Sequence, residues 1–423
     1  MTDRNEIQDQ EWTQERASGR NAEFLKGVFF GVLLSGVFVM TAFLVLNGTL
    51  GGKSASGEEG AAVLTSRETI RKLAQIQDLI EDCFLYEADG EELSAYLFKG
   101  LAVGLDDVYA NYYTAEELTG MEEAAKGAYQ GIGISLLQDP DSGQMRVAGV
   151  YENSPAMEAG LRENDILLRV GDTDLSGMDT SDVAALIRSL EEAELTVERD
   201  GEELTVTVKL SSVEIPTVDS QMLEAGIGYL KISEFADVTV DQFEENLEEL
   251  KAAGLEKLIV DVRGNPGGTL DSVCEILDDL LPEGLIVYTE DKTGFREEHM
   301  SDEERLFEGP LAVLVNENSA SAAEIFAGAI QDYELGPVVG AVTYGKGVVQ
   351  RTYRLEDGSA LKLTTENYFT PSGQKIEGTG IQPDISAEEP ENGSGAEDGQ
   401  EKSGADPQTD PQLQAAVDYL LEM

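Results

Sequence analysis

The sequence predicts a multidomain chain of mixed α/β and α+β class, held behind an N-terminal transmembrane helix. Three observations carry that reading. At 423 residues the chain exceeds what one hydrophobic core organises. Residues 27–46 form an uncharged run rich in Val, Leu and Phe. Downstream, the apolar pattern changes from helical to short strands near residue 127, and to alternating buried strands and helices near residue 213.

The elements follow in chain order. The apolar run of about 20 residues, at about 1.5 Å each, reaches about 30 Å, enough to span a bilayer core. Arg16, Arg20 and Lys26 precede it and only Lys53 follows closely, so residues 1–26 are expected in the cytoplasm and the rest outside, at a cell surface or in a periplasm-like compartment. The run is longer than the apolar core of a secretory signal, which favours an uncleaved single-pass anchor. Small residues at Ser54-Ala55-Ser56 leave a cleaved, secreted form open. Residues 47–60 read as a flexible stalk. Residues 61–126 read as helices, with Ile70, Leu73, Ile76, Leu79 and Ile80 on one face and Leu93, Leu97, Leu101 and Leu105 on another.

Residues 127–212 read as short strands at 131–136, 145–150, 165–170 and 195–210, with a helix near 180–190. Residues 213–386 alternate strands and helices around the buried runs 258–262 and 311–315. Residues 387–412, rich in Glu, Gly, Ser, Asp and Pro, are expected to form a disordered acidic linker before an amphipathic helix over 413–423.

Composition excludes several function classes. With 83 acidic against 29 basic residues and a formal net charge of -54, the chain repels phosphates, so no nucleic-acid partner is expected. Cys83 and Cys274 are too few for a disulfide framework or a four-ligand zinc site.

Within the strand-rich segment, Gly131-Ile132-Gly133-Ile134 opens a strand. A loop with two glycines turns backbone N–H groups toward an anion or simply makes a tight turn. Three further motifs sit in the α/β region. Asp261-Val262-Arg263-Gly264-Asn265-Pro266-Gly267-Gly268 follows a buried strand, and its paired glycines allow backbone N–H groups to approach a developing oxyanion. Asn316-Glu317-Asn318-Ser319-Ala320-Ser321-Ala322-Ala323-Glu324 places Ser321 at a helix start, as a nucleophile or as the serine of a capping box with Glu324. Tyr344-Gly345-Lys346-Gly347-Val348-Val349-Gln350 sets one lysine between glycines; burial lowers a lysine's pKa enough for it to serve as a neutral base, whereas a solvated lysine is only a surface charge.

The histidine count narrows the chemistry. His299 is the only one, in a run of charged residues without a strand signal, so a serine–histidine–acid triad is not expected. Cys274 lies in an amphipathic helical pattern without a histidine partner. If the chain performs acyl transfer, a lysine must be the base.

Residues 127–210, with Ser154-Pro155-Ala156 and Gly160 ahead of a strand, resemble a PDZ domain. The three motifs in this order, followed by Tyr368-Phe369-Thr370-Pro371-Ser372-Gly373-Gln374-Lys375, resemble the carboxyl-terminal processing, or tail-specific, proteases over roughly residues 65–386. The resemblance implies a ClpP/crotonase-like α/β core with Ser321 as nucleophile, Lys346 as general base and Gln350 orienting the lysine. It further implies an oxyanion hole from N–H groups at Gly267 and Ala322, a carboxylate-binding loop at Gly131, Ile132, Gly133 and Ile134, and a reaction that needs no cofactor or metal. Ala323 stands where relatives often have serine. Expected partners are proteins with accessible apolar carboxyl termini, a membrane through the N-terminal helix, and a second copy of the chain. The competing reading is a non-catalytic membrane-anchored PDZ scaffold or chaperone, whose mark would be loss of Ser321 or Lys346; both are present.

Overall fold

The computed structural model describes residues 64–139, 142–387 and 406–423. The expected anchor, the stalk and residues 388–405 of the acidic linker lie outside the described residues. Among the described residues no helix is long and apolar enough to cross a membrane. The chain divides into two compact units, residues 1–89 and 90–423. The described part of the first is the helix Arg67–Cys83, whose N-cap Ser66 accepts from the Thr69 N–H at 3.1 Å. Its apolar stripe is exposed at Ile70, Leu73, Ile76 and Leu79.

In the second unit, helix Gly90–Val103 is followed by strand Asn111–Tyr113 and helix Ala115–Lys126, which Thr114 and Glu117 start with a capping box and Gly127 ends in the left-handed region. Residues 61–126 were expected to be helical throughout. The three-residue strand corrects that: it pairs antiparallel with Ala360–Phe369 and ties this region into a sheet of the α/β domain. Too short to show a period, it left no readable signal.

The strand-rich segment folds as expected, with strands Ile134–Gln138, Met145–Val150, Ile166–Val170, Glu192–Arg199 and Glu202–Lys209 in one sheet and helix Thr180–Arg188. The predicted strand 195–210 is instead a hairpin, because Asp200-Gly201 both take positive φ and turn the chain between Arg199 and Glu202. Val147, Val183, Leu195 and Val197 are wholly buried in this core.

The remaining core is a six-stranded sheet. Strand Val218–Met222 runs antiparallel to Ile227–Ile232, and Lys257–Asp261, Leu311–Val315, Val338–Gly340 and Ile385–Ser386 continue it in parallel. Both faces are covered, which is why these strands read as unbroken apolar runs rather than alternating ones. Leu258, Val260, Leu311 and Val313 face the cluster containing helices Val238–Ala252, Leu270–Asp278 and Ala322–Asp332. Ile259, Ala312 and Leu314 face the other way, against Leu413, Ala416 and Leu420 of helix Pro411–Glu422. That last helix starts two residues before the expected position, with Asp410 as N-cap and Pro411 in the first turn, so the end of the predicted linker is ordered. The loops leaving Lys257–Asp261 and Leu311–Val315 emerge at the carboxyl ends of neighbouring parallel strands, where open α/β sheets place their sites.

Candidate active site

The loop after Leu311–Val315 delivers Ser321 to the start of helix Ala322–Asp332. Buried Ser319 fixes this loop: its hydroxyl donates to the Val262 carbonyl at 2.7 Å and accepts from the Asn316 N–H at 3.0 Å. Asn316 Oδ1 in turn accepts from the Gly264 N–H at 2.9 Å, stitching the serine loop to the glycine loop. Ser321 itself has φ 56° and ψ -115°, a region that costs a non-glycine residue about 1–3 kcal/mol and persists only where its surroundings enforce it.

Glu324 provides that enforcement. It is wholly buried, and its two oxygens receive four donors. Oε2 accepts from the Ser321 N–H at 2.9 Å and the Lys346 N–H at 2.8 Å; Oε1 accepts from the Gly345 N–H at 2.7 Å and the Thr343 hydroxyl at 2.5 Å. Burial raises its pKa above the usual carboxylate range, against these hydrogen bonds. Of the capping box read from the sequence, the half in which Glu324 takes the Ser321 N–H forms, and the same carboxylate oxygen joins two distant motifs. The Glu324 N–H pairs with the Ser321 carbonyl at 2.8 Å, so the helix start does not depend on the hydroxyl. Tyr368, almost wholly buried, adds a second link, its hydroxyl donating to the Ser321 carbonyl at 3.1 Å and to the Lys346 carbonyl.

Lys346 lines an open cleft of about 530 Å³ with Tyr109, Gly264, Pro266, Asn318, Ala320 and Tyr344. Burial, then the charge of Lys362, pushes its pKa below the ordinary lysine range, against Glu324 and Glu377. Its Nζ sits 4.8 Å from the centre of the Tyr109 ring. Among the described residues no hydrogen bond joins this ammonium to the Ser321 hydroxyl. Nor does the expected Gln350 contact form: the Gln350 amide donates to the Val348 carbonyl at 3.1 Å, next to a register shift between Val349 and Gln350 that turns the strand locally. Sequence reasoning missed Tyr109, which belongs to no motif and reaches the cleft only through the pairing of strand Asn111–Tyr113.

Of the expected oxyanion donors, Ala322 opens its helix, so its N–H has no acceptor one turn back. The Gly267 N–H is engaged, donating to Asn265 Oδ1 at 2.8 Å in an Asx turn. Gly267 nonetheless abuts the serine: at φ 109°, a Cβ added there would stand 2.7 Å from Ser321 Cβ and 3.1 Å from the Ala322 nitrogen. Cys274 is excluded as a nucleophile, since burial and neighbouring acidic charges push its thiol up to about 12. His299 occupies strand Arg296–Ser301 opposite Val287, which corrects the expectation of a stretch without strand structure.

In the PDZ-like domain a cavity of about 390 Å³ is lined by Tyr129, Ile132, Ile134, Leu136, Ile187 and Arg188. Of the predicted loop, Gly131 ends strand Ala128–Gly131, Ile132 is buried, Gly133 has φ 82° and Ile134 begins the next strand. Tyr129 packs over Gly131, and burial foremost raises its phenol's pKa.

Comparison with known proteins agrees with this anatomy. Residues 226–387 match the model of peptidase family S41, and residues 146–199 match a PDZ domain. The carboxy-terminal processing protease CtpA of Bacillus subtilis (strain 168) is 30% identical over 371 residues, covering 86% of this chain and 78% of that one. A probable CtpA-like serine protease of Staphylococcus aureus (strain N315) is 30% identical over 389 residues, covering 90% of this chain and 76% of that one. Among solved structures, a photosystem II D1 C-terminal processing protease aligns at 25% identity and TM-score 0.44, covering 74% of this chain and 86% of that one. With a PDZ domain ahead of an S41 core and this identity along most of both relatives, the chain belongs to the carboxy-terminal processing protease family of serine peptidases.

Proposed function

We propose that this serine peptidase cleaves exported proteins by a Ser321–Lys346 dyad, after its PDZ domain recognises an apolar carboxyl-terminal tail. The observation that carries the reading is the Glu324 clamp, which holds the backbones of a strained serine and a half-buried lysine on one oxygen. Neutral Lys346 takes the proton of the Ser321 hydroxyl as its oxygen attacks the scissile carbonyl, then passes it to the leaving amine; water hydrolyses the acyl-enzyme. The Ala322 N–H faces the oxyanion, and the Gly267 N–H joins it once Asn265 releases it. With Lys346 over Tyr109 and Gln350 on Val348, the arrangement reads as a resting state, in which Gln350 comes to orient the lysine as the dyad closes.

The apolar lining of the PDZ cavity supports apolar tails, and the exposed stripes of helices Arg67–Cys83 and Gly90–Val103 support pairing with a second copy. The uncharged run at 27–46 supports a single-pass anchor with the catalytic part outside the cytoplasm. The test is fragment mass against time on unfolded proteins with apolar tails, comparing the parent with Ser321→Ala and Lys346→Ala. Cleavage by the parent alone is expected. Cleavage by either variant at the parental rate refutes the dyad, and no cleavage by any protein across varied tails favours a scaffold.

A further inference from the structure

The C-terminal helix does more than cover the sheet. Where it begins, Asp410 Oδ2 pairs with Arg263 Nη1 at 2.8 Å, and Gln412 Oε1 accepts from the same nitrogen at 3.0 Å. Gln412 is wholly buried, and its amide also donates to the Ala387 carbonyl at 3.3 Å. On its other side Arg263 meets Asp261, with Nη2 at 2.5 Å from Oδ2 and Nε at 3.0 Å from both carboxylate oxygens. Tyr229 donates to the same Asp261 carboxylate at 2.7 Å.

Arg263 is the residue from which the glycine loop departs. Gly264 follows it and is fastened to Asn316; Asn265 accepts the Ala320 N–H on its carbonyl at 3.0 Å and the Gly267 N–H on its side chain. A guanidinium held from both sides thus fixes the start of a loop whose other end presses on Ser321. Asp261 and Tyr229 come from the sheet, whereas Asp410 and Gln412 come from a segment nearly 150 residues further along the chain.

We infer that Asp410 and Gln412 are positioning residues for the active site: the C-terminal segment acts as a strap that holds Arg263, and through it the Gly264–Gly268 loop, in register with the nucleophile. The inference rests on the proposed role of Ser321. Asp410 also caps its helix through Oδ1, which accepts from the Gln412 and Leu413 N–H groups at 3.0 Å each, so the strap and the docking of the helix share one residue.

The experiment compares the full chain with Asp410→Ala, Asp410→Glu, Gln412→Ala, Leu420→Ala and Ser321→Ala, reading kcat, KM and thermal midpoint on one apolar-tailed substrate. Leu420 packs in the apolar cluster two turns beyond Gln412 and, among the described residues, is not one of the hydrogen-bond or ion-pair partners of Arg263, so its truncation lowers the midpoint alone. The strap predicts that Asp410→Ala and Gln412→Ala each lower kcat by about 10-fold with KM little changed, as small misplacements of reacting groups do. Asp410→Glu, which keeps the carboxylate, recovers most of that loss. Parental kcat in both Asp410→Ala and Gln412→Ala overturns the inference, and so does an equal kcat loss in Leu420→Ala at a matched midpoint. If Ser321→Ala cleaves like the parent, the proposed dyad fails and takes the strap with it; if Ser321→Ala is inactive while the strap variants are unimpaired, only the strap fails.

Discussion

Replacing Gly267 by alanine should disarm the enzyme, while replacing Gly264 three residues earlier should not. Both glycines have positive φ, 109° and 70°, so both substitutions meet backbone strain. For Gly264 the added methyl meets nothing within 4 Å, leaving strain alone at about 1–2 kcal/mol, which lowers stability and leaves chemistry intact. For Gly267 the methyl would stand 2.7 Å from Ser321 Cβ and 2.9 Å from the Ala320 carbonyl oxygen. Restoring ordinary carbon–carbon contact requires the two loops to part by roughly 0.7 Å. Displacement on that scale at a nucleophile costs on the order of 100-fold in rate. Steady-state cleavage of an apolar-tailed substrate, with thermal melting in parallel, separates the two variants. Gly267→Ala is expected to lose kcat by about that factor and Gly264→Ala to stay within about threefold of the parent. Parental kcat in Gly267→Ala, or an equal loss in Gly264→Ala, refutes the close-approach argument.

Three further predictions follow from the geometry. Glu324→Gln turns one of the two accepting oxygens into an NH₂ group that confronts two donors, so melting should show a loss of about 1–3 kcal/mol per orphaned donor and cleavage should fall steeply; parental activity would remove Glu324 from the account. Activity should rise with pH through the folded-state pKa of Lys346, since the protonated lysine cannot act as base; removing the like charge with Lys362→Met raises that pKa and moves the rising limb to higher pH, and a limb that stays put or moves lower counts against Lys346 as the titrating base. Leu136→Asp sets a charge in the apolar cavity of the PDZ-like domain, so calorimetric titration with a peptide ending in an apolar residue should give weaker binding, and parental affinity would remove that cavity as the tail site.

The legible parts of this protein were those that leave a local signature. Buried runs such as 258–262 showed through because strands covered on both faces carry no polar alternation, Lys346 stood between two glycines, and Ser321 and Glu324 stood at the helix start that follows a buried strand. What stayed hidden depends on contacts distant in sequence. Tyr109 meets Lys346 only after Asn111–Tyr113 pairs with Ala360–Phe369, and Asp410 meets Arg263 only once the chain has returned to the sheet nearly 150 residues later. Gln350 illustrates the converse, since the family resemblance implies that it orients Lys346, whereas its amide donates to the Val348 carbonyl. Glu324 was seen but undervalued: a capping box accounts for one of its four hydrogen bonds, and the other three come from residues about 20 positions away.

The central claim is that Ser321 carries the acyl group. Acid quenching during turnover of an activated ester, followed by proteolytic mapping of the trapped protein by mass spectrometry, tests it most directly. The account predicts an acyl adduct on the peptide containing Ser321, lost in Ser321→Ala and slow to form in Lys346→Ala. An adduct confined to another residue, such as Cys274, or substrate turnover that survives in Ser321→Ala, would contradict it.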